Sequence, residues 1–314
     1  MTNPGVASAT AKTFGARPCD QHQAAGWANL GQAFKIKGMS ILVTPEELRA
    51  NLQKGGKQIL LHAMYEETRR DGFAKFNASH IPTAQFCDAA NALAGTPSKE
   101  GGRNPLPNVD ILQRWFDRWG LGEDHHIVCY DEARGILAAR AWFVLRWAGV
   151  ENVSVLDGGL TKWRDLRYPR MGGPGNPRSR GTLKVDPGHM PIVTTEDVKN
   201  HTGLLVDTRG RNRFTGKTEH LDLKAGHIPG AVNVPTAAFL NEDGTFKDPQ
   251  VIRQAFESKG VTDGSEVIIY SGSGLHSAQG LIAMELAGLP GAATYLGGWS
   301  RWCADHTNPV ATGD

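Results

Sequence analysis

Cysteine is scarce in this sequence, and the few cysteines form no metal-binding pattern. The 314 residues include only four, which lie far apart at Cys19, Cys87, Cys129 and Cys303. Structural zinc sites need closely spaced cysteines or histidines, and disulfide-rich domains need more cysteines for their length. We therefore expect a protein of a reducing, cytoplasmic compartment that holds no metal and needs no cofactor.

Long apolar runs and an excess of one charge sign are also lacking. No stretch approaches the roughly 18 apolar residues of a membrane helix, and residues 1–15 lack the basic start and apolar centre of a secretory signal. The 34 lysines and arginines nearly balance the 32 aspartates and glutamates, which leaves a net charge of +2. Neither nucleic acid nor a membrane is therefore expected as a partner, and the length suffices for two domains.

What the sequence does contain is an internal repeat. Six segments occur twice in the same order: ILVTPEEL (41–48) and IVTTEDV (192–198), ILLH (59–62) and LLVD (204–207), SHIPTA (79–84) and GHIPGA (226–231), HIVCYD (126–131) and EVIIYS (266–271), WAG (147–149) and LAG (286–288), and LDGGLTKW (156–163) and YLGGWSRW (295–302). Thr44 and Glu47 predict a helix capping box, with Pro45 in the first turn. Apolar strands that alternate with helices indicate a mostly parallel sheet covered on both faces. The sequence thus predicts two tandem copies of one α/β domain.

The repeat divides the chain into four parts. Residues 1–38 show little periodicity and predict an N-terminal extension, which the first copy follows at 39–166. The second copy covers 192–314. Between the copies, residues 167–191 are rich in proline, glycine and arginine, which predicts a linker that crosses the surface.

One stretch of the second copy has the pattern of an anion-binding loop. Val267–Tyr270 predicts a buried strand, and an apolar-periodic helix is expected over Ser277–Leu286. Between them lies Ser-Gly-Ser-Gly-Leu-His, residues 271–276, hereafter the glycine loop. Such a loop points backbone N–H groups at one place, and the helix dipole adds positive charge there. Ser271 occupies the position of a nucleophile, whereas the first copy has Asp131 there and no glycine-rich sequence.

The paired copies and their motifs resemble the two-domain rhodanese family over residues 41–305. The motifs that carry the resemblance are the two HIP segments, LDGGLTKW (156–163), DTRGRNRF (207–214), GHIPGAVNVP (226–235), SGSG (271–274) and GGWSRW (297–302). The resemblance implies two tandem rhodanese-like domains of the α/β class, each with a mostly parallel sheet flanked by helices. It also implies a degenerate first domain that shapes the cleft and an active second domain that moves sulfur through a cysteine persulfide.

Within that family, the residues after the nucleophile separate two donor classes. Thiosulfate sulfurtransferases typically have Arg and Lys there, which suits a small dianion, and 3-mercaptopyruvate sulfurtransferases have Gly-Ser-Gly. Residues 272–274 resemble the second class. The expected partners are therefore a small-molecule sulfur donor, 3-mercaptopyruvate, and a thiol or cyanide acceptor, with a thioredoxin-like protein among the thiols considered. Thiosulfate:cyanide transfer is the alternative enzyme activity, and a non-catalytic binding module and a phosphatase are alternatives from other classes.

The nucleophile position departs from the family, because Ser271 stands where the family has cysteine. A serine hydroxyl is much harder to ionise than a thiol, and its oxygen cannot carry a persulfide. We therefore expect the chain as it stands to be inactive in sulfur transfer. A deliberate Cys→Ser substitution and a natural inactive relative are the two explanations.

Three further residues fit a Ser–His–Asp relay that the resemblance implies for the 3-mercaptopyruvate class, namely Ser273, His80 and Asp71. The relay would polarise the donor and handle the proton released as the persulfide forms. The alternative is structural: His80 caps a loop, and Asp71 pairs with Arg69 or Arg70 on the surface.

The resemblance also assigns the donor's carboxylate to Arg213, which aligns with a family arginine. Gly272, Gly274, Leu275 and His276 would complete the substrate-binding loop. The family usually supplies a second arginine just before the segment 226–229, and this chain has none there. Lys217, His220 or Lys224 could replace it, or the carboxylate could have a single cationic partner. Cys303 is disfavoured as a substitute nucleophile because no glycine loop precedes it.

Overall fold

The computed structural model describes residues 40–176 and 178–314, so the predicted extension at 1–38 and Cys19 lie outside the described residues. In the first domain, the strands are β1 (Leu42–Val43), β2 (Gln58–Met64), β3 (Gln85–Asp88), β4 (His126–Tyr130) and β5 (Val153–Leu156), and the helices are α1 (Pro45–Gln53), α2 (Arg69–Ala78), α3 (Ala89–Ala92), α4 (Val109–Trp119), α5 (Ile136–Trp147) and α6 (Gly159–Asp165). The strands pair in parallel in the order β1-β5-β4-β2-β3.

The second domain has the same plan. Its strands are β6 (Leu204–Asp207), β7 (Ala231–Asn233), β8 (Val267–Tyr270) and β9 (Ala293–Tyr295), its helices are α7 (Thr195–Asn200), α8 (Arg211–Phe214), α9 (Pro249–Glu257), α10 (His276–Leu286) and α11 (Gly298–Trp302), and 3₁₀ turns lie at Thr236–Ala238 and Gly264–Glu266. The strands pair in parallel in the order β7-β6-β8-β9. The predicted α/β class, with a parallel sheet flanked by helices in each domain, is confirmed, and the domain boundaries stay a prediction.

Local sequence sets the first helix of each domain. The Thr44 hydroxyl accepts a hydrogen bond from the Glu47 N–H (3.2 Å), and the Glu47 carboxylate accepts one from the Thr44 N–H (2.9 Å). Thr194 and Asp197 form the same reciprocal pair at the start of α7. The predicted capping box is therefore present, and each pair satisfies N–H groups that the helix itself leaves without partners.

The two sheets end in the same way at their central strands, β4 and β8. The Leu160 N–H donates to the Asp131 carbonyl (2.9 Å), and the Trp299 N–H donates to the Ser271 carbonyl (2.8 Å). Both α6 and α11 begin with a glycine at positive φ, and a Cβ atom on either glycine would overlap that same carbonyl. This close approach requires glycine, which explains why Gly-Gly recurs in both copies.

The two domains share one core at the contact between α5 and α10. One cluster of buried side chains includes Ile59, Leu61 and Phe143 of the first domain and Val206 and Leu281 of the second. Helix α5 is buried on nearly all sides, which accounts for its apolar composition. In the described ranges, no helix combines the length and the apolar character needed to cross a membrane.

The segment between the domains follows the surface of the first domain. Met171 and His80 exchange two backbone hydrogen bonds (2.9 Å each), and the Leu121 carbonyl accepts from the N–H groups of Thr182 (2.8 Å) and Leu183 (3.0 Å). Past these contacts, the N–H of Asp186 donates to the Ala148 carbonyl at the end of α5 (3.1 Å). The backbone of this segment is therefore held against the first domain until Pro191 and Val193, which bond to Thr294 of the second domain (2.9 and 3.0 Å).

Candidate active site

The glycine loop lies between β8 and α10, at the carboxyl end of a central strand. Ser271 is fully buried at the base of the loop. Its Oγ accepts a hydrogen bond from the Gly274 N–H (3.1 Å) and lies 3.4 Å from the Ser277 Oγ. Gly274 has a φ of +81°, and a Cβ atom there would lie 2.7 Å from the Leu296 Cδ1 atom. Glycine thus allows the turn that directs an N–H group at the side chain of residue 271.

Helix α10 begins at His276, one residue before the predicted start. Leu275 is partly buried at the position before the helix, where its carbonyl accepts from the Gln279 N–H (3.5 Å). Burial lowers the pKa of His276, and the nearby charge of Arg213 lowers it further. His276 is therefore neutral near pH 7 and adds no charge to the site.

The loop at the equivalent place in the first domain, residues 131–135, is filled by its own side chain. The Asp131 carboxylate accepts four backbone hydrogen bonds, from Ala133 and Gly135 (2.8 Å each), Leu137 (2.7 Å) and Ala138 (2.9 Å). Burial raises the pKa of Asp131, and these N–H groups oppose that effect. We call residues 131–135 the aspartate loop; it holds a carboxyl group where the glycine loop holds Ser271.

Two guanidinium groups lie directly over the glycine loop. A Cβ atom on Gly272 would lie 2.8 Å from Nη2 of Arg103 and 3.4 Å from Nη1 of Arg213. Arg213 belongs to α8 and was expected at the site from the sequence. Arg103 comes from the first domain, between α3 and α4, and no motif or repeat of the sequence points to it. The two domains therefore each supply one cation next to Gly272, the residue that follows Ser271.

Both guanidinium groups are held by acidic side chains. The Asp222 carboxylate accepts from Nε of Arg103 (2.8 Å) and from Nη2 of Arg213 (2.8 Å). Arg213 Nη2 also donates to both carboxylate oxygens of Glu219 (2.8 and 2.9 Å). Burial would raise the pKa of Glu219, but the Leu221 N–H and Arg213 hold that pKa below its usual range. The cluster of Arg103, Arg213, Glu219 and Asp222 is hereafter the arginine–carboxylate cluster.

The candidates for a second cation in the segment 217–224 lie elsewhere. Lys217 and His220 are exposed, and the Lys224 ammonium donates to the His306 carbonyl (3.4 Å). The described contact to Gly272 comes from Arg103 instead. Of this segment, the residues that bind the two arginines are therefore the acidic ones, Glu219 and Asp222.

The sequence-predicted relay of Ser273, His80 and Asp71 is not assembled by hydrogen bonds. Ser273 is buried in the glycine loop, and its Oγ accepts from Nδ2 of Asn104 (2.7 Å). The Asp71 carboxylate accepts from the Thr68 hydroxyl (2.6 Å) at the start of α2. Neither side chain has a described hydrogen bond to His80. Ser273 thus lies at the site, where its partner is an amide of the first domain.

His80 is held by the core of the first domain. Its Nδ1–H donates to the Phe76 carbonyl (2.8 Å), its ring stacks on Phe76 with centroids 4.1 Å apart, and its buried Nε2 has no partner among the described residues. His227 has the same bond to Phe214 (2.8 Å) and the same stacking (3.7 Å) in the second domain. This repetition indicates a structural role for the position, and the bond to the Phe76 carbonyl accounts for the lack of a described hydrogen bond from His80 to Ser273 or Asp71.

The described cysteines are buried thiols that do not belong to the glycine loop. Burial raises the pKa of Cys303, and its Sγ lies 3.9 Å from the Ser300 carbonyl. Burial also raises the pKa of Cys87 and of Cys129. A thiolate is the reactive form of cysteine, so none of these three has the properties of a substitute nucleophile. In residues 40–176 and 178–314, no cluster of three or more side chains could hold a metal ion.

A pocket of about 290 Å³ opens beside the arginine–carboxylate cluster. Its walls come from both domains, and the lining residues are Pro97, Ser98, Gly102, Arg103, Leu221, Asp222, Leu223 and Ser300. Leu221 and Leu223 are exposed at its rim. This volume is at the lower end of the range for small-molecule sites. The site as a whole can hold a small anion between two arginines and a loop of backbone N–H groups.

Comparisons with known proteins identify similar chains. The family model described as a rhodanese-like domain matches residues 44–166 and 194–305. The chain is 34% identical over 283 residues to a protein of Pseudomonas aeruginosa named as a probable 3-mercaptopyruvate sulfurtransferase, with 87% of this chain and 98% of that protein covered. It is 32% identical over 267 residues to the human 3-mercaptopyruvate sulfurtransferase (82% and 88% covered). It is 31% identical over 263 residues to the thiosulfate sulfurtransferase of Gallus gallus (82% and 90% covered).

Solved structures show the same fold at lower identity. The 3-mercaptopyruvate sulfurtransferase of Leishmania major has a TM-score of 0.71 at 23% identity, with 83% of this chain and 73% of that chain covered. The Tum1 protein of Saccharomyces cerevisiae has a TM-score of 0.73 at 20% identity, with 87% and 99% covered.

Proposed function

The chain belongs to the rhodanese-like domain family, and on that premise we propose that its second domain carries a sulfurtransferase site of the 3-mercaptopyruvate type. In this proposal, Ser271 occupies the position of the sulfur-carrying cysteine. The chain as it stands binds the donor and leaves its sulfur in place. With cysteine at residue 271, the same site moves sulfur to a thiol or cyanide acceptor, and a cytoplasmic thioredoxin-like protein is one such thiol.

The observation that carries the proposal is the hydrogen bond from the Gly274 N–H to the Ser271 Oγ (3.1 Å). An N–H group and a helix N-terminus directed at this atom would stabilise a thiolate there and lower its pKa. The aspartate loop supports this argument, because the same strand–loop–helix arrangement holds the carboxyl group of Asp131 by four N–H groups.

The reaction proposed for a cysteine at residue 271 needs no cofactor. Its thiolate attacks the thiol sulfur of 3-mercaptopyruvate, so that an S–S bond forms as the C–S bond breaks. The electron pair of the C–S bond stays on carbon, and protonation of the resulting enolate gives pyruvate. An acceptor thiolate or cyanide then takes the outer sulfur and restores the enzyme thiolate. Serine cannot enter this cycle, because its oxygen would have to replace sulfur in the covalent intermediate.

The donor's carboxylate is assigned to Arg213. Its Nη1 atom faces Gly272, while its Nε and Nη2 atoms are bound by carboxylates. The neutral Gly272-Ser273-Gly274 sequence leaves this role to an arginine outside the loop. The proposed roles of His80 and Asp71 in proton transfer stay predictions, and a contribution from them would require a rearrangement of the contacts described above.

Transfer from thiosulfate is the second candidate. Two arginines over Gly272 suit a dianion, and the similar protein of Gallus gallus is named a thiosulfate sulfurtransferase. The absence of arginine and lysine at residues 272 and 273 favours the carboxylate-bearing donor.

The test replaces Ser271 with cysteine. Incubated with 3-mercaptopyruvate, the Ser271→Cys protein should gain one sulfur atom, about 32 Da by intact-mass spectrometry, and should release pyruvate. The unmodified chain should gain none. Asp131→Cys is the matched control: it places a thiol after the equivalent strand, but Glu132 follows it instead of glycine, and this variant should also gain none.

Three outcomes would overturn parts of the proposal. Sulfur uptake by the unmodified chain would show that another cysteine is the nucleophile. A higher kcat/KM for thiosulfate than for 3-mercaptopyruvate would move the site to the thiosulfate class. A Ser271→Cys protein that is folded but inert towards both donors would favour a non-catalytic binding module.

A further inference from the structure

A cation from the first domain completes the site of the second. We propose that Arg103 binds the anionic group of the donor together with Arg213, and that Asp222 positions Arg103 for this role. The inference rests on the proposed function and specifies how its donor is recognised. In this arrangement the second cation comes from the first domain, not from residues 217–224.

The backbone around Arg103 is fixed against the second domain. Ser98 and Gly102 exchange two backbone hydrogen bonds (3.1 and 2.8 Å) that close a turn, and the Arg103 N–H donates to the Ser300 Oγ (3.1 Å). Gly102 has a φ of +76°, and a Cβ atom there would lie 2.7 Å from the Gly297 carbonyl oxygen. The turn can approach α11 this closely only because residue 102 is glycine. Arg103 therefore extends towards the glycine loop from a fixed starting point.

The next residue makes a second contact of the same kind. The Asn104 side-chain amide donates to the Ser273 Oγ (2.7 Å) in the glycine loop, and the Asn104 carbonyl accepts from the buried Arg140 (3.0 Å). The segment that carries Arg103 is thus bound on both sides of the arginine. Its register relative to the loop is set by two independent contacts.

The side chain of Arg103 is bound along one edge and open along the other. Asp222 accepts from its Nε (2.8 Å) and its Nη2 (3.1 Å), in the paired arrangement that fixes the plane of a guanidinium group. Nη1 of Arg103 and Nη1 of Arg213 have no hydrogen-bond partner within the described ranges. The Asp222 side chain is 2% exposed, whereas those of Arg103 and Arg213 are 34% and 24% exposed. A ligand in the adjoining pocket, which Arg103 and Asp222 both line, can therefore reach the guanidinium group of Arg103, which is more exposed than the Asp222 carboxylate.

Asp222 also links the two arginines to each other, because one of its oxygens, Oδ2, accepts from both. Two guanidinium groups this close repel each other unless a negative charge lies between them. The segment that carries Asp222 is itself held: the Glu219 carboxylate accepts from the N–H groups of Leu221 (2.9 Å) and Asp222 (3.1 Å). Asp222 thus acts through Arg103 and Arg213 and is a positioning residue.

The experiment uses variants of the Ser271→Cys protein and measures kcat and KM for 3-mercaptopyruvate. Arg103→Ala should raise KM about tenfold with kcat little changed, because a charge-assisted contact to the donor is lost. Asp222→Asn should also raise KM, because the arginines lose the carboxylate that positions them. The double variant should raise KM by less than the product of the two single effects, since the part of the Asp222 effect that acts through Arg103 is already lost. Asp243→Asn is the matched control, as it removes a carboxylate that pairs with Lys162 across the domain interface, and its KM should not change.

A second series tests the inference without any turnover. The same substitutions in the unmodified Ser271 chain are titrated with pyruvate and, separately, with thiosulfate by calorimetry. Arg103→Ala and Asp222→Asn should each weaken binding of at least one anion several-fold relative to the parent and to Asp243→Asn. Thermal unfolding of every variant identifies any loss of folding, and Arg103→Lys, which keeps the charge, should partly restore binding if the fold is intact.

The outcomes separate this inference from the proposed function. A Ser271→Cys protein that takes up no sulfur overturns the proposed function, and the anion titrations still decide the role of Arg103. Unchanged affinity for both anions in folded Arg103→Ala overturns the inference, and so does a parent chain that binds neither. Tighter binding in Asp222→Asn would show that Asp222 competes with the ligand, and additive effects in the double variant would show that it does not act through Arg103. Either result overturns the positioning role.

Discussion

The aspartate loop and the glycine loop both connect a central strand to a helix, but their first side chains use the backbone N–H groups differently. Asp131 fills its loop with a carboxyl group that accepts hydrogen bonds from four N–H groups. Ser271 accepts one N–H group and lies beneath two arginines. The comparison teaches that an anion-binding loop can be used either to stabilise its own domain or to bind a ligand. The side chain at residue 131 or 271 and the residues that follow it differ between the two loops.

The strands beside the two loops, β6 and β2, also carry different side chains at equivalent positions. Asp207, at the end of β6, pairs with Arg209 (2.7 Å), and Arg209 stacks over Trp299 with its Cζ 4.8 Å from the ring centroid. Its counterpart in the first domain is His62, whose ring stacks on Tyr130 with centroids 4.4 Å apart. Burial lowers the pKa of His62 to about 3. The second domain thus keeps a charged pair behind its loop, and the first domain has a neutral ring there.

The largest effect is expected from Asp131→Asn. An amide keeps only one acceptor oxygen and turns an NH₂ group towards N–H donors, so several charge-assisted hydrogen bonds are lost at once. We expect the free energy of unfolding to fall by about 3 kcal/mol in urea denaturation. Asp263→Asn is the control, because Asp263 caps an exposed 3₁₀ turn by one N–H group of Ser265 (2.9 Å). Equal losses in the two variants would refute the view that Asp131 holds its loop together.

The next effect concerns the pH dependence of stability, which His62 should dominate in the first domain. Unfolded histidine takes up a proton below pH 6.5, whereas folded His62, with a pKa of about 3, stays neutral. Stability is therefore lost as the pH falls below 6.5, by about 2 kcal/mol at pH 5 for this group alone. His62→Leu should remove that part of the slope. The measurement is urea denaturation of both proteins at pH 6.5 and pH 5. If the parent and His62→Leu lose the same free energy of unfolding between these pH values, the assignment is contradicted.

The smallest effect is expected from Ser271→Ala. Only the Gly274 N–H loses its described acceptor at residue 271, so the free energy of unfolding should fall by about 1 kcal/mol or less. The difference between the losses in free energy of unfolding of Ser271→Ala and Asp131→Asn measures how much more the aspartate loop depends on its side chain. A loss as large as that of Asp131→Asn would mean that Ser271 is also mainly a structural residue.

The fold could be predicted from the sequence because the repeat consists of motifs whose residues are neighbours in the chain. The capping box of Thr44, the apolar strands and the glycine loop depend on neighbouring residues, and each was found where expected. Arg103 could not be predicted in this way. Arg103 contacts a loop that lies about 170 residues further along the chain, as does its neighbour Asn104. The turn that carries it lies outside every repeated segment. Its position follows from how two domains pack, which no local pattern records.

The relay shows a second limit of prediction. The order and spacing of Asp71 and His80 fitted the family pattern, but spacing does not say where an imidazole ring points. The Phe76 carbonyl and ring fix His80 in the core, and Thr68 binds Asp71 at the start of a helix. Both partners lie within four residues of the side chains they bind. These local contacts orient both side chains in this structure, and the proposed relay stays a prediction.

Helix α5 has a thermodynamic consequence for the whole chain. It is buried on one side against the sheet of the first domain and on the other against α10, so its apolar side chains belong to two cores at once. Neither domain can unfold without exposing part of the other's buried surface. The cooperative unit is therefore the pair of domains, and a substitution in the first domain, which carries no nucleophile, changes the stability of the second. This coupling gives the first domain a reason to stay folded that is independent of any chemistry of its own.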